Sequence, residues 1–332
     1  RYNSKTNTLE QNYIDLNSLF ALDCLCLVQI AKLLSKNEDE KQFNKKYEEM
    51  KKIINDKMWN EEMGIYCNLK WDGTFNDTIT PANFYPMIAG IASKEKADRM
   101  VNDWLLNPKK FYGEFMIPTV ARDHPSYLDN DYWRGRIWGP TNFIVYEALK
   151  KYEYFDVAHI LAVKSRDLFL KNWREKGYVF ENYNAETGLA NDVKNADPFY
   201  TWGGLLPYIY LSEIVEAQPF EGLRFGNLAN EAAFVEMPLN EDIYRVSIDI
   251  GLTIKRNGNT FIESTSPVLI TGLHFNNNTL YFKLQAKTNG YLIIYGQDDL
   301  FNSVKVESSL LISSSIKDNR IIIEYEANKI ET

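Results

Sequence analysis

The chain has 332 residues, 45% of them hydrophobic, enough for one large domain and a smaller one with separate cores. A net charge of −8, with basic residues scattered rather than clustered, gives no electrostatic ground for nucleic acid or an anionic membrane as partner. The three cysteines, Cys24, Cys26 and Cys67, are odd in number and read as free core thiols.

Helical segments come in pairs along the first two thirds of the chain. Residues 13 to 34 are apolar on nearly every side, as expected of a helix buried in a larger body. Residues 40 to 58 are amphipathic, with Phe43, Tyr47, Met50, Ile53, Ile54 and Met58 on one stripe, which predicts an outer partner for the first helix. The pattern repeats: 82 to 92 inner and 94 to 106 outer, 138 to 152 inner and 155 to 173 outer, then 201 to 216 inner. Links within pairs are short. Those between pairs, 59 to 81, 107 to 137 and 174 to 200, are long and hold most of the tryptophan, tyrosine, asparagine and glycine, so the chemistry is expected there, on one face.

From about residue 236 the period changes from helical to alternating, as in Tyr-Arg-Val-Ser-Ile-Asp-Ile at 244 to 250, and Asn-Gly pairs at 257 and 289 supply turns. The expected organisation is a helical domain over 1–235 and an antiparallel β-sandwich of six or seven strands over 236–332, which packs against or covers the helical domain. No apolar run reaches the length of a transmembrane helix. The opening residues have neither signal-peptide character nor an initiating methionine, so the start reads as a cut and the compartment stays open.

Three loop segments carry candidate chemistry. The densest is Asp129-Asn130-Asp131-Tyr132-Trp133-Arg134-Gly135-Arg136-Ile137-Trp138-Gly139-Pro140, at the entrance of the third inner helix. Indole rings stack on the C–H faces of a pyranose, a guanidinium donates charge-assisted hydrogen bonds to its hydroxyls, and Gly135 and Gly139 allow close backbone approach. The second is Tyr178 to Gly188, where Glu181 stands between aromatic neighbours as a candidate general base, whereas Glu186 belongs to a turn and is expected to be solvated. The third is Asp197 to Gly204, with Trp202 facing the same mouth as Trp138. Asn17 and Phe84 sit at the entrances of the first two inner helices. Against these readings stands a plainer one, in which the tryptophans are core residues and Arg134 a structural clamp. His124, His159 and His274 lack metal-ligand spacing, and no metal or organic cofactor is expected.

Tyr-Trp-Arg-Gly-Arg-Ile-Trp-Gly-Pro at 132 to 140, Glu-Asn-Tyr-Asn-Ala-Glu-Thr-Gly at 181 to 188 and Trp-Gly-Gly-Leu-Leu at 202 to 206 resemble glycoside hydrolase family 63, over about residues 10 to 217. The resemblance implies an (α/α)6 toroid, similar in fold to the trehalases, and an inverting hydrolase in which one carboxylic acid protonates the leaving group and one carboxylate activates water. Glu181 is then the general base, and Trp133, Arg134, Gly135, Trp138, Trp202, Asn17 and Phe84 line the sugar pocket. The family's general acid is an aspartate upstream of the helix matching 13 to 34, and nothing similar precedes Tyr13; Asp15, Asp129 and Asp131 are weak substitutes. Three pairs and the start of a fourth also fall short of a closed ring, so the chain is expected to be the C-terminal part of a longer enzyme or an N-terminally shortened relative. The leading expectation is an inverting hydrolase of an α-glucoside or related small glycoside. The rivals are a carbohydrate-binding or interaction protein without activity, and a helical scaffold whose aromatics are only core.

Overall fold

The computed structural model describes residues 2–229, 231–276, 279–296 and 311–327; parts of the expected sandwich, 297–310 and 328–332, lie outside the described residues. The chain divides into two compact units, Arg1–Ile209 and Tyr210–Thr332.

In the first unit, helix α1 (Ile14–Leu33) buries Ile14, Ala21, Cys24, Val28 and Ala31 along one face, and it packs on α2 (Asn37–Lys57) and on the short α3 (Tyr85–Ile88). Glu38, Asp39 and Glu40 in the first turn of α2 and Lys57 in its last complement the helix dipole. The second inner segment enters through a 3₁₀ turn, Pro81–Phe84, and is short because Gly90 turns the backbone at φ 67° soon after α3 ends. Its entrance is held by Asn83, fully buried, which accepts from the Thr80 backbone N–H at 2.8 Å and donates to the Tyr66 carbonyl at 2.7 Å. Helix α4 (Lys94–Arg99) starts on a Ser93 cap and runs on as one π-helical stretch, Met100–Leu105. Helix α5 (Gly139–Lys151) starts with Pro140 in its first turn, where a missing N–H costs nothing, and packs on α3 and on α6 (Phe155–Lys176), which Gly177 terminates at φ 71°. A 3₁₀ turn, Thr201–Gly204, leads into α7 (Leu205–Ser212) and touches α5. Inner segments α1, α3, α5 and Thr201–Gly204 are therefore successive neighbours, as the paired pattern predicts.

Two expectations about α1 need correction. Its 20 residues are long and apolar enough to cross a membrane by length and composition, although it packs on α2 and α3 as a core helix does. Nor is it buried on every side: Leu16, Leu19, Phe20, Ile30 and Leu33 are exposed on the face turned away from those partners. Its apolar circumference exceeds what the described neighbours cover.

In the second unit, strands begin earlier than residue 236, because Val215–Gln218 and Gly222–Phe225 join a four-stranded antiparallel sheet with Val268–Asn276 and Thr279–Ala286. A seven-stranded antiparallel sheet runs in the order Ala233–Leu239, Asp242–Ile248, Leu252–Arg256, Asn259–Ser264, Gly290–Tyr295, Arg320–Tyr325, Leu311–Lys317. The inward residues of both sheets, among them Phe225, Ile270, Val246, Ile254, Leu292 and Ile323, share one core, which is the sandwich arrangement.

Asn83→Ala should lower the stability of the helical unit by about 1–3 kcal/mol, because it leaves the buried Tyr66 carbonyl and Thr80 N–H without their partner. Chemical denaturation compared with the parent chain measures it.

Candidate active site

Two of the long loops meet as a two-residue antiparallel ladder in which Ile137 faces Tyr183 and Trp138 faces Asn182. Residues 179 to 181 run beside 197 to 200: Tyr200 N–H donates to the Val179 carbonyl at 3.0 Å, and Glu181 N–H to the Asp197 carbonyl at 2.9 Å. Glycines permit this closeness. A Cβ at Gly203 would lie 2.2 Å from the Phe180 carbonyl oxygen, and one at Gly139 2.5 Å from that of Trp202. The entrances of α5 and α7 are thereby pulled to the Glu181 segment, and Glu181, Trp138 and Trp202 come together from three loop stretches.

The aromatic residues form one assembly. Trp138 is fully buried, and Trp133 stacks on it with ring centroids 3.9 Å apart and planes within 10°. Trp202 lies 5.7 Å from Trp138, and Tyr132 packs edge-on against it at 5.0 Å. Trp138 is thus a core residue that supports Trp133, and Trp133, 48% exposed, presents its outer ring face to solvent. A rigid exposed indole is the surface on which a pyranose stacks.

Glu181 is buried to 6% exposure, yet it lines an open cavity of about 430 Å³ with Tyr132, Lys194, Asn195 and Asp197. Burial pushes its carboxyl above the ordinary glutamate range and the nearby Asp197 charge adds to this; hydrogen bonds with the Asp197 backbone and the Asn182 side chain pull the other way. The Glu181 charge in turn pushes the Tyr132 phenol up, as expected if the two groups face each other. A carboxylate poised above its usual range is suited to take a proton from water.

Arg134 donates from Nε to Asp129 and from Nη2 to Asp131, both at 2.8 Å. The two in-loop carboxylates considered as acids are therefore both engaged by one guanidinium. Gly135 adopts φ 98°, and a Cβ there would sit 2.3 Å from the Tyr127 carbonyl oxygen, so the close approach it permits is to the chain's own backbone. Phe84 is wholly buried against Phe111, with ring centroids 5.7 Å apart, and has no surface to offer a ligand. Asn17 donates to the Tyr13 carbonyl one turn earlier, at 2.6 Å, and is not among the residues lining the Glu181 cavity. Asp15 accepts from the adjacent Leu16 N–H. Glu186 is exposed, as expected of a turn residue, and it also pairs with Arg122 at 2.8 Å and accepts from the Tyr127 hydroxyl, tying loop 107 to 137 to loop 174 to 200.

Sequence reasoning missed Lys194 and Asn195, and it held Arg136, Asn182 and Asp197 only as members of the three candidate segments, without a role of their own. Arg136 and Asn182 are both fully buried and joined by a hydrogen bond from Arg136 Nε to Asn182 Oδ1. They stand inside the motifs at 132 to 140 and 181 to 188, which was the only signal available. Among the described residues no group of three or more His, Cys, Asp or Glu side chains could hold a metal ion.

Because burial raises the Glu181 pKa in the folded state, the protonated form gains stability on folding that is lost as pH rises through the folded value. Glu181→Gln should therefore be more stable than the parent at neutral pH, with the difference shrinking as pH falls into the acid range; thermal melts across pH measure it.

Residues 4–203 match the family described as mannosylglycerate hydrolase MGH1-like glycoside hydrolase domain, and the chain belongs to this family, within glycoside hydrolase family 63. It is 36% identical over 138 residues to mannosylglycerate hydrolase MGH1 of Selaginella moellendorffii, a match covering 40% of this chain and 26% of that protein. Among solved structures, the GH63 mannosylglycerate hydrolase of Thermus thermophilus in complex with glucose superposes with a TM-score of 0.51 at 20% identity, over 60% of this chain and 47% of that one. The neutral trehalase Nth1 of Saccharomyces cerevisiae gives 0.52 at 19% identity, over 61% and 38%. At these identities the structural likeness speaks for the fold alone. The chain matches less than half the length of each of these proteins.

Proposed function

We propose that this chain carries the base side of an inverting glycoside hydrolase site, with Glu181 deprotonating the water that attacks the anomeric carbon. The observation that carries the reading is the joint position of Glu181 on an open cavity and of Tyr132, a second lining residue, against the Trp133–Trp138 stack. A sugar ring laid on the exposed face of Trp133 has its C–H surface desolvated by the indole, and the neighbouring carboxylate has room for water. Arg134, fixed by Asp129 and Asp131, and Trp202 complete the wall of the pocket in this reading; Trp138 acts as the support beneath Trp133, and Gly135 through the backbone turn it allows. Asn17 and Phe84 have no direct part.

Asp129 and Asp131 are both held by Arg134, so neither is assigned as the general acid in this reading. The succession α1, α3, α5 and Thr201–Gly204 supports a partial (α/α)6 toroid, with the exposed apolar face of α1 as the surface that continues the ring. The β-sandwich, which takes in the strands from Val215 on, is read as an accessory domain to the helical unit Arg1–Ile209. The substrate class is an α-glucoside or a related small glycoside, and the name of the Selaginella relative makes mannosylglycerate the first one to test.

A second reading is favoured by the engagement of both loop aspartates: a protein that binds sugar and does not cleave it. The two separate in one experiment. With mannosylglycerate and aryl α-glucosides, assayed in the protein complete with its general acid, the first reading predicts that proton NMR sees the β-anomer released first and that Glu181→Gln lowers kcat by roughly 10²–10⁴-fold. An unchanged rate in Glu181→Gln sinks the assignment; saturable binding without product supports the second reading. In either case Trp133→Ala should weaken sugar binding by about 0.5–1.5 kcal/mol or more, followed by quenching of tryptophan fluorescence.

A further inference from the structure

Glu181 is tied to a polar chain that runs inward from the cavity. Asn182 Nδ2 donates to Glu181 Oε2 at 3.2 Å and to the Asn195 carbonyl at 2.8 Å, while Asn182 Oδ1 accepts from Arg136 Nε. The orientation of this amide is not free. A flipped Asn182 would point its NH₂ at a guanidinium, which only donates, and its oxygen at a carboxylate and a carbonyl, which only accept. Arg136 is itself fixed, with no exposure, paired to Asp192 at 2.9 Å and donating to the carbonyls of Asn130, Leu189 and Ala190 at 3.3–3.4 Å. Asp192 also accepts from Asn184 at 2.6 Å. Burial alone would raise the Asp192 carboxyl, but the hydrogen bonds from Arg136 and Asn184 outweigh it and hold it below the ordinary range, so it stays ionised opposite the guanidinium.

We propose that Asn182 is the positioning residue for Glu181, that Arg136 locks its amide with the N–H side toward the carboxylate, and that this relay sets both the orientation and the protonation of the catalytic base. The proposal rests on the reading of Glu181 as base, and it adds two residues to the site that do not touch substrate. A fully buried amide between a fully buried arginine and a carboxylate is an expensive arrangement for mere packing, since each of these polar groups would be less costly as an apolar side chain of similar volume. The charged and titratable groups facing Glu181 are Tyr132, Lys194 and Asp197 on the cavity side, with Arg136 and Asp192 behind Asn182. The Asp197 backbone also hydrogen-bonds the Glu181 carboxyl, and the Arg136–Asn182 arm adds a side-chain donor held in one orientation.

The test uses the full chain labelled with carboxyl-¹³C glutamate, in which the Glu181 resonance is identified by its loss in Glu181→Gln. Asn182→Asp keeps the shape and the partner for Arg136 but cannot donate when ionised. The Glu181 titration midpoint should rise, through the lost donor and the new negative charge together, so the uncharged variant decides between them. Asn182→Ser, which is smaller and uncharged, should also raise it, by less, and gives the same test if Asn182→Asp does not fold. Arg136→Lys, which keeps the pairing with Asp192 and loses the Nε donor, should shift the midpoint in the same direction. If the chain cleaves a glycoside, the acid limb of kcat/KM should move with the midpoint while KM changes little. A purely structural role would lower the melting temperature and leave the midpoint in place, and that result overturns the proposal. Because the titration needs no activity, a shifted midpoint with unaltered turnover in Glu181→Gln would reject the base assignment and keep the relay.

Discussion

The buried guanidinium of Arg136 is the interaction on which the site depends. It collects Asp192, the Asn182 side chain and the carbonyls of Asn130, Leu189 and Ala190, which come from both long loops and from the turn after Glu186. No loop of this kind can bury its backbone without supplying partners for it, and a planar cation with five donors supplies several at once. Removing one side of such a pair leaves a charge in the interior, a loss of about 3–5 kcal/mol in comparable cases. The loops can therefore be long and irregular and still hold one geometry.

Around that polar centre the remaining residues separate by solvent exposure. Trp138 and Tyr183 are fully buried on the two sides of the Ile137–Trp138 and Asn182–Tyr183 ladder, and Trp133 stacks on Trp138 facing outward. The ladder places an ionisable group and a flat apolar ring near one another while each is held from behind by buried structure. The helices supply the rigid base: α5 begins one residue after Trp138, and the Thr201–Gly204 turn carries Trp202 into contact with it. Binding or chemistry at loops held by a rigid scaffold is the usual division of labour.

The helical pairing was legible because an apolar stripe at the helical period reports directly which face is buried, as for Ile54 and Tyr47 on α2. The sandwich was legible from alternation, but its first two strands are too short to alternate visibly: Val215–Gln218 overlaps the end of the helix expected over 201 to 216, and Gly222–Phe225 lies before the expected start of the strands at 236. Trp133, Trp138, Trp202 and Glu181 could be grouped because they share helix entrances, and successive entrances lie on one end of paired helices. The same rule misplaced Phe84 and Asn17, since position along a helix does not say which way a side chain turns; Phe84 turns to Phe111 and Asn17 to its own backbone. Arg136 and Asn182 were not legible as partners. They are 46 positions apart, and a polar residue carries no sign in the sequence of whether it is buried. The apolar circumference of α1 predicts burial on nearly every side, and the described neighbours provide it on one face only.

A crystal structure of this protein with a bound monosaccharide tests the central claim most directly, because it reads the position of the sugar, the water and Glu181 together. The account predicts the pyranose on the outer face of Trp133, a water held by Glu181 below the anomeric carbon, and, where an acid is present, a second carboxyl group roughly 6.5–9.5 Å from Glu181. A sugar bound away from Trp133, or a Glu181 carboxylate with no water between it and the sugar, would contradict it.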